Sequence, residues 1–230
     1  MNERKLGPGL SSISVIVNEG LSHKVTKYAK EAGALGHTVV LARGTVSNKL
    51  LELLGLNENR RELIFILAEN HLAEKILMTI SCKLRFDKPG NGIAFCTELA
   101  EVRGMHTLTT QPSLSESTND TSCEYGQKEE KMFQSIYVVV DKGKANEVIS
   151  SAKNAGSRGG TIFNARGSGI HETSKLFSME VEPEKEVVLI LTEIESTDRI
   201  ASAIVNDLNM NEPGNGVLYI QNVNMTYGLY

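Results

Sequence analysis

Tryptophan is absent from this chain of 230 residues, and aromatic residues of all kinds make up only 5%. No apolar run approaches the roughly 18 residues that a membrane-crossing helix needs. The first residues, MNERKLGPGLSS, bring charges with no apolar stretch behind them, so no secretory leader is expected. Cys82, Cys96 and Cys123 are three in number and form no CxxC pair, which reads as reduced, mostly structural thiols of a cytoplasmic protein. No GxxxxGK[ST] stretch is present, which removes the P-loop nucleoside triphosphatases. The five histidines (23, 37, 71, 106 and 171) include no HExxH or similar ligand spacing, so no metal centre is expected. Nothing reads as a nucleophile with its base, or as a catalytic carboxylate pair, so the chain is not read as an enzyme. No concentrated basic stripe offers a nucleic-acid surface either.

What is present is a repeat. AKEAGALGHTVVLARGT (29–45) returns as AKNAGSRGGTIFNARGS (152–168), displaced by 123 positions. KPGNGIAF (88–95) returns as EPGNGVLY (212–219), displaced by 124. Two blocks in one order, with a single one-residue slip, mean one duplicated unit. The expected organisation is a first copy over 1–104, a polar linker over 105–130 and a second copy over 131–230. Formal charge is divided unevenly: +3 on 1–104, −4 on 105–130 and −3 on 131–230, for a total of −4. Opposite signs on the two copies would let them attract one another; drift of exposed charge is the plainer account.

Each copy repeats one series of patterns. A β-branched run comes first (13–17; 136–140), strand-like in composition. A helical spacing follows, with Leu21, Val25, Tyr28, Ala29 and Ala32 before Gly33, and with Val148, Ala152 and Ala155 before Gly156. A second strand (37–42; 161–165) leads into a polar excursion. The most apolar strand comes next (63–68; 187–192). Ile76, Ile80 and Leu84, matched by Ile200, Ile204 and Leu208, mark a second helix, and a fourth strand (93–97; 217–221) follows the PGNG turn. The order βαββαβ, twice, is the α+β ferredoxin-like arrangement: an antiparallel sheet with both helices on one face. The other face is left apolar and open, so it needs a covering partner.

The run GGTIFNARGSG (159–169), the polar loop after it, EVVLILTE (186–193) and EPGNGVLYI (212–220) together resemble the P-II nitrogen-regulatory family. The resemblance spans both copies and is nearest in the second. It implies a ferredoxin-like trimer that binds adenine nucleotides in clefts between subunits. It also implies a signalling role, with a long loop after the second strand touching a target such as a membrane transporter or a metabolic enzyme of nitrogen utilisation. Residue by residue, Arg166, Gly167, Ser168 and Gly169 match the loop base, with Ile170 where a second Arg is usual. Gly214, Asn215 and Gly216 match the other glycine turn, with Val217 where a Lys is usual. In the first copy Arg43 and Gly44 remain at the loop base, Val46 standing for the second Gly, and Gly90, Asn91 and Gly92 remain before Ile93. The glycine turns suit an anion nest, but cations for a triphosphate are missing, so AMP or ADP fits better than ATP.

Several residues keep two readings. Arg43 and Arg166 recur at one repeat position and serve either a ligand or the loop backbone. Leu50, Leu51, Leu53 and Leu54 form either a docking turn or a cover for their own sheet. His171 and Glu172 read as a solvated pair or as ion ligands, and Asp198 as a helix-terminus charge. A cation-responsive trimer of the same architecture and a ligand-free structural adaptor are the alternative functions. For assembly, three chains could supply six domains to two rings, or one chain could close its own two open faces on each other.

Overall fold

A computed structural model describes residues 9–45, 58–100, 102, 132–167, 175–176, 179–180 and 183–229. In the first copy the order is β1 (Leu10–Asn18), α1 (Ser22–Glu31), β2 (Gly36–Thr45), β3 (Glu58–Glu69), α2 (Asn70–Lys83) and β4 (Gly92–Leu99). The second copy repeats it with β5 (Phe133–Asp141), α3 (Ala145–Asn154), β6 (Thr161–Arg166), β9 (Glu184–Glu193), α4 (Ile194–Asp207) and β10 (Val217–Val223). Between β6 and β9 lies a two-residue hairpin, β7 (Lys175–Leu176) with β8 (Met179–Glu180), and β11 (Met225–Tyr227) ends the series. The ferredoxin-like reading is thus what the chain adopts, twice. The linker 105–130, Leu50, Leu51, Leu53, Leu54, Ser168, Gly169, His171 and Glu172 lie outside the described residues.

Helix ends follow from local chemistry. α1 and α3 run out into Gly33 (φ +102°) and Gly156 (φ +98°), where the left-handed turn suits glycine. α2 and α4 end instead at Arg85 (φ +56°) and Asn209 (φ +50°), so the PGNG turn must hold those two residues. The acid in the first turn of α4 is Glu195; Asp198 lies one turn further in and is not the terminal charge expected.

Period-two alternation then builds three cores rather than two. Ile13, Val15 and Val17 with Ile64, Ile66, Ala94 and Cys96 face α1 and α2. Ile136, Val138, Val140, Val188 and Ile190 face α3 and α4. The opposite faces supply a shared cluster: Ile16, Leu63 and Phe95 from the first copy, and Tyr137, Val187, Leu189 and Val223 from the second. The open faces that required a covering partner therefore cover each other within the chain.

The strand order is β10-β5-β9-β6-β2-β3-β1-β4-β11 in a single sheet. β10 and β11 stand at its opposite ends, yet only Asn224 separates them in sequence. The two ends must therefore lie side by side, so the sheet is curled closed around the shared cluster. β11 pairs antiparallel with β4 (Thr226↔Phe95), and Met225 and Tyr227 pack on the first copy's core. The second copy's tail completes the first copy's edge, a strand that nothing in the repeat announced.

The copies meet where β2 pairs with β6: Ala42↔Phe163, Arg43↔Ile162 and Gly44↔Thr161. Continuing that register puts Leu41 opposite Asn164, which are equivalent positions of the repeat, 123 apart. The junction is a pseudo-two-fold, as in an isologous dimer. Thr45 locks it: its backbone N–H donates to Gly160 O (2.9 Å), and its hydroxyl accepts from Gly160 N–H (2.9 Å). Cys96 is free and buried, but Cys82 is disulfide-bonded, which corrects the expectation of three reduced thiols. No described helix is long and apolar enough to cross a membrane.

Candidate functional site

Antiparallel pairing gathers the candidate residues at one end of each copy. The end of β2 (Arg43, Gly44) lies beside the start of β3, and the turn before β4 (Gly90–Gly92) lies beside the end of β1. Arg61, on β3, joins them. Its Nη1 donates to Gly90 O (3.2 Å), and its Cγ and Nε lie 3.2 Å from where a Cβ on Gly44 would stand. The loop base and the glycine turn of the first copy are thus tied by a cation that the repeat alone did not single out. In the second copy Arg166 sits opposite Glu184 across the β6–β9 ladder. The Lys142 ammonium bonds Glu184 at 2.6 Å and, with Arg166 adding its charge, holds that carboxyl below the usual carboxylate range. Gly167 bonds through its N–H to Pro183 O (3.2 Å) and has open space around it.

The PGNG turns are explained by backbone demands first. Gly90 and Gly214 have φ of +86° and +91°. A Cβ on Gly216 would lie 2.5 Å from Val139 O, and one on Gly92 would lie 2.4 Å from the Phe86 ring. The Asn91 amide donates to Arg85 O (2.8 Å) and the Asn215 amide to Asn209 O (2.9 Å). Each fastens the left-handed residue that ends the preceding helix, so these amide nitrogens are occupied by the turn itself.

Arg43 lies at the junction between the copies. Its Nη2 donates to Glu186 Oε1 at 2.7 Å, an ion pair between the copies. Glu186 is buried at 5% exposure, and its Oε2 accepts from the backbone N–H of Gly143 (2.9 Å) and Ala145 (3.0 Å) at the start of α3. The first copy holds the same device 124 positions earlier: buried Glu62 accepts from Ser22 N–H at 2.7 Å, at the start of α1. No side-chain cap from the residue preceding either helix is present, so the strand carboxylate takes over that task. Sequence reasoning passed over both glutamates, although they recur just before the most apolar strand.

Burial pushes the Glu62 carboxyl up, but backbone donors at Ser22, Gly20 and Leu21 outweigh it, and the net shift is downward. A folded-state value below the unfolded one means stability present above the ordinary carboxylate value and lost as pH falls through the lowered one. Glu62→Gln is therefore expected to be about 1–2 kcal/mol less stable at pH 7. Urea midpoints taken at pH 7, 5 and 3.5 check this: the gap to the parent chain closes with acid, whereas a constant gap refutes the charge as its source.

A cleft of about 230 Å³ opens at the β2–β6 junction and is lined by Arg43, Arg60, Arg61, Phe163 and Asn164 among others. Residues 133–229 match the family model described as nitrogen regulatory protein P-II. No curated protein sequence matches the chain. Among solved structures, the crystal structure of Arabidopsis thaliana PII bound to citrate aligns at 20% identity, over 40% of this chain and 75% of that one, with a TM-score of 0.30. The B. subtilis GlnK–ATP complex aligns at 13% identity, over 42% and 94% respectively, with a TM-score of 0.33. Over residues 133–229 the second copy of this chain is thus similar to the nitrogen regulatory protein P-II family.

Proposed function

We propose that the chain is a P-II-like signalling regulator. It senses a small effector at the loop-base and glycine-turn residues and acts on a target, an enzyme or transporter of nitrogen utilisation, through the excursions at 43–62 and 166–186. The observation that carries this reading is the family match of residues 133–229. It is supported by glycine turns kept at the same end of the sheet as the loop base in both copies. The effector is an adenine nucleotide, AMP or ADP rather than ATP, because Val217 and Ile170 stand where cations would meet a third phosphate. The protein works in the cytoplasm as a regulator without chemistry of its own. The closure of its own open faces makes one chain a complete pseudo-dimer, and any ring of three chains must use other surfaces.

Calorimetric titration with AMP, ADP, ATP and 2-oxoglutarate tests the reading. A true effector raises the melting temperature with concentration, by the equivalent of about 2.7 kcal/mol at a hundred times its Kd. Flat titrations with every nucleotide overturn nucleotide sensing and leave a structural adaptor.

A further inference from the structure

The two copies differ at one cross-strand pair that their shared register makes directly comparable. In the second copy Asp141 on β5 is opposite Lys185 on β9, and they form an ion pair at 2.7 Å. Beside them Lys142 and Glu184 pair at 2.6 Å, so the four charges at that end cancel. At the equivalent place in the first copy Asn18 on β1 is opposite Arg61 on β3. The counter-charge is missing. Arg61 is half-buried, has no carboxylate partner among the described residues, and holds only the Gly90 carbonyl; burial lowers its pKa. Leaving a partly desolvated guanidinium without an anion is unfavourable unless something supplies one.

The surroundings say what that something is. Arg60 and Arg43 line the same cleft, so three guanidinium groups meet there. Among the described residues the carboxylates paired with these cations are Glu19, 3.6 Å from the largely exposed Arg60, and Glu186, on Arg43. One positive charge is left over, and it is the half-buried one. Guanidinium forks match carboxylate and phosphate oxygens. A volume of about 230 Å³ falls below the roughly 300–1,000 Å³ of pockets that take drug-sized ligands, which excludes a whole nucleotide.

We infer that the cleft between β2, β3 and β6 binds a compact oxyanion with two or more negative charges, inorganic phosphate or a short dicarboxylate, with Arg61 as its anchor. Because the cleft is walled by the first copy and by Phe163 and Asn164 of the second, the anion fastens the junction between them. Its anchor, Arg61, belongs to the first copy and has no unpaired counterpart cation in the second. This rests on the effector reading but narrows it at Arg43 and Gly44 to a compact anion, leaving the nucleotide to the second copy's loop base and glycine turn; it is tested without nucleotide, so either can fail while the other stands.

The test is thermal stabilisation and titration calorimetry of the full chain with inorganic phosphate and, separately, with succinate, against sodium chloride at matched ionic strength. Saturable stabilisation by phosphate, succinate or both, with chloride inert, is the expected result, and the stronger arm identifies the chemistry. Asn18→Asp installs the counter-charge that the second copy carries and should weaken binding about tenfold or more, as should Arg61→Gln. Lys30→Gln, a surface cation on α1, should leave it unchanged. Asn18→Asp adds a partner for Arg61, so its loss of binding cannot be ascribed to misfolding if its melting temperature without anion is at least that of the parent. Equal response to chloride, an undiminished shift in Asn18→Asp, or equal weakening by Lys30→Gln overturns the proposal.

Discussion

Glu186→Ala is expected to destabilise the chain by about 3 kcal/mol, more than any other single polar change. Three donors converge on this one carboxylate: the Arg43 guanidinium at 2.7 Å and the backbone N–H groups of Gly143 and Ala145. Removing one partner of a buried pair leaves the other charge uncompensated, which costs about 3–5 kcal/mol when both are fully buried. Arg43 retains 30% side-chain exposure and recovers part of that loss by hydration, which sets the lower figure. The abandoned donors at the start of α3 add to it, since unsatisfied buried groups cost about 1–3 kcal/mol each. Two comparisons isolate the pieces. Glu62→Ala removes the same helix-start acceptor in the first copy, where Glu62 has no ion-pair partner among the described residues, so its cost should be smaller. In the double variant Arg43→Ala/Glu186→Ala no stranded guanidinium remains, and the cycle should show a coupling of about 1–2 kcal/mol. Urea unfolding measures all four proteins. A strictly additive cycle would mean that the ion pair contributes nothing to holding the copies together.

Much of this architecture was readable from local pattern. The repeat fixed the unit, and β-branched runs and helical spacings gave element order, because each unit's propensities agree with its own fold. The glycines before β4 and β10 read from the sequence as part of an anion nest. The structure shows turns that need them, with Asn91 and Asn215 holding the left-handed residues Arg85 and Asn209. Alternation along β1, β3, β5 and β9 announced that each sheet has a second apolar face. It could not say what covers that face, because a cluster that holds both Phe95 and Leu189 joins the copies in a way that no periodicity encodes. β11 escaped notice for a related reason: three residues carry no pattern of their own, and their place beside β4 comes from closure of the whole sheet. Nothing in the sequence marks Glu62 and Glu186, because their role depends on the turns at Gly20 and Gly143 that rest on them in the fold. The difference between Asn18 and Asp141 was visible as letters, but only the register opposite Arg61 and Lys185 gives it meaning.

The shared inner core makes the strongest claim about how the chain holds together, and Phe95→Ala tests it. Phe95 is fully buried on β4, facing away from the helices and into the cluster to which Tyr137, Val187, Leu189 and Val223 of the other copy belong. Truncating a buried Phe removes its transfer free energy and leaves a cavity, together about 3–5 kcal/mol. A second readout separates this core from an ordinary one. Burial, with a smaller contribution from Tyr219 stacked at 5.0 Å, pushes the Tyr137 phenol up to about 12. If the faces share one core, a void at position 95 in the first copy admits water toward a tyrosine of the second. Ultraviolet titration of Phe95→Ala should then show that phenol ionising closer to the ordinary value near 10. Ile80→Ala, of comparable burial but in the helix-facing core of the first copy, should destabilise by about 2–5 kcal/mol while leaving Tyr137 where it is. Because both copies contribute to the inner cluster, each variant should still unfold in one transition under urea. Two separate transitions in the parent chain, or a Tyr137 that ignores Phe95→Ala, would show that the copies fold as neighbours without a common interior.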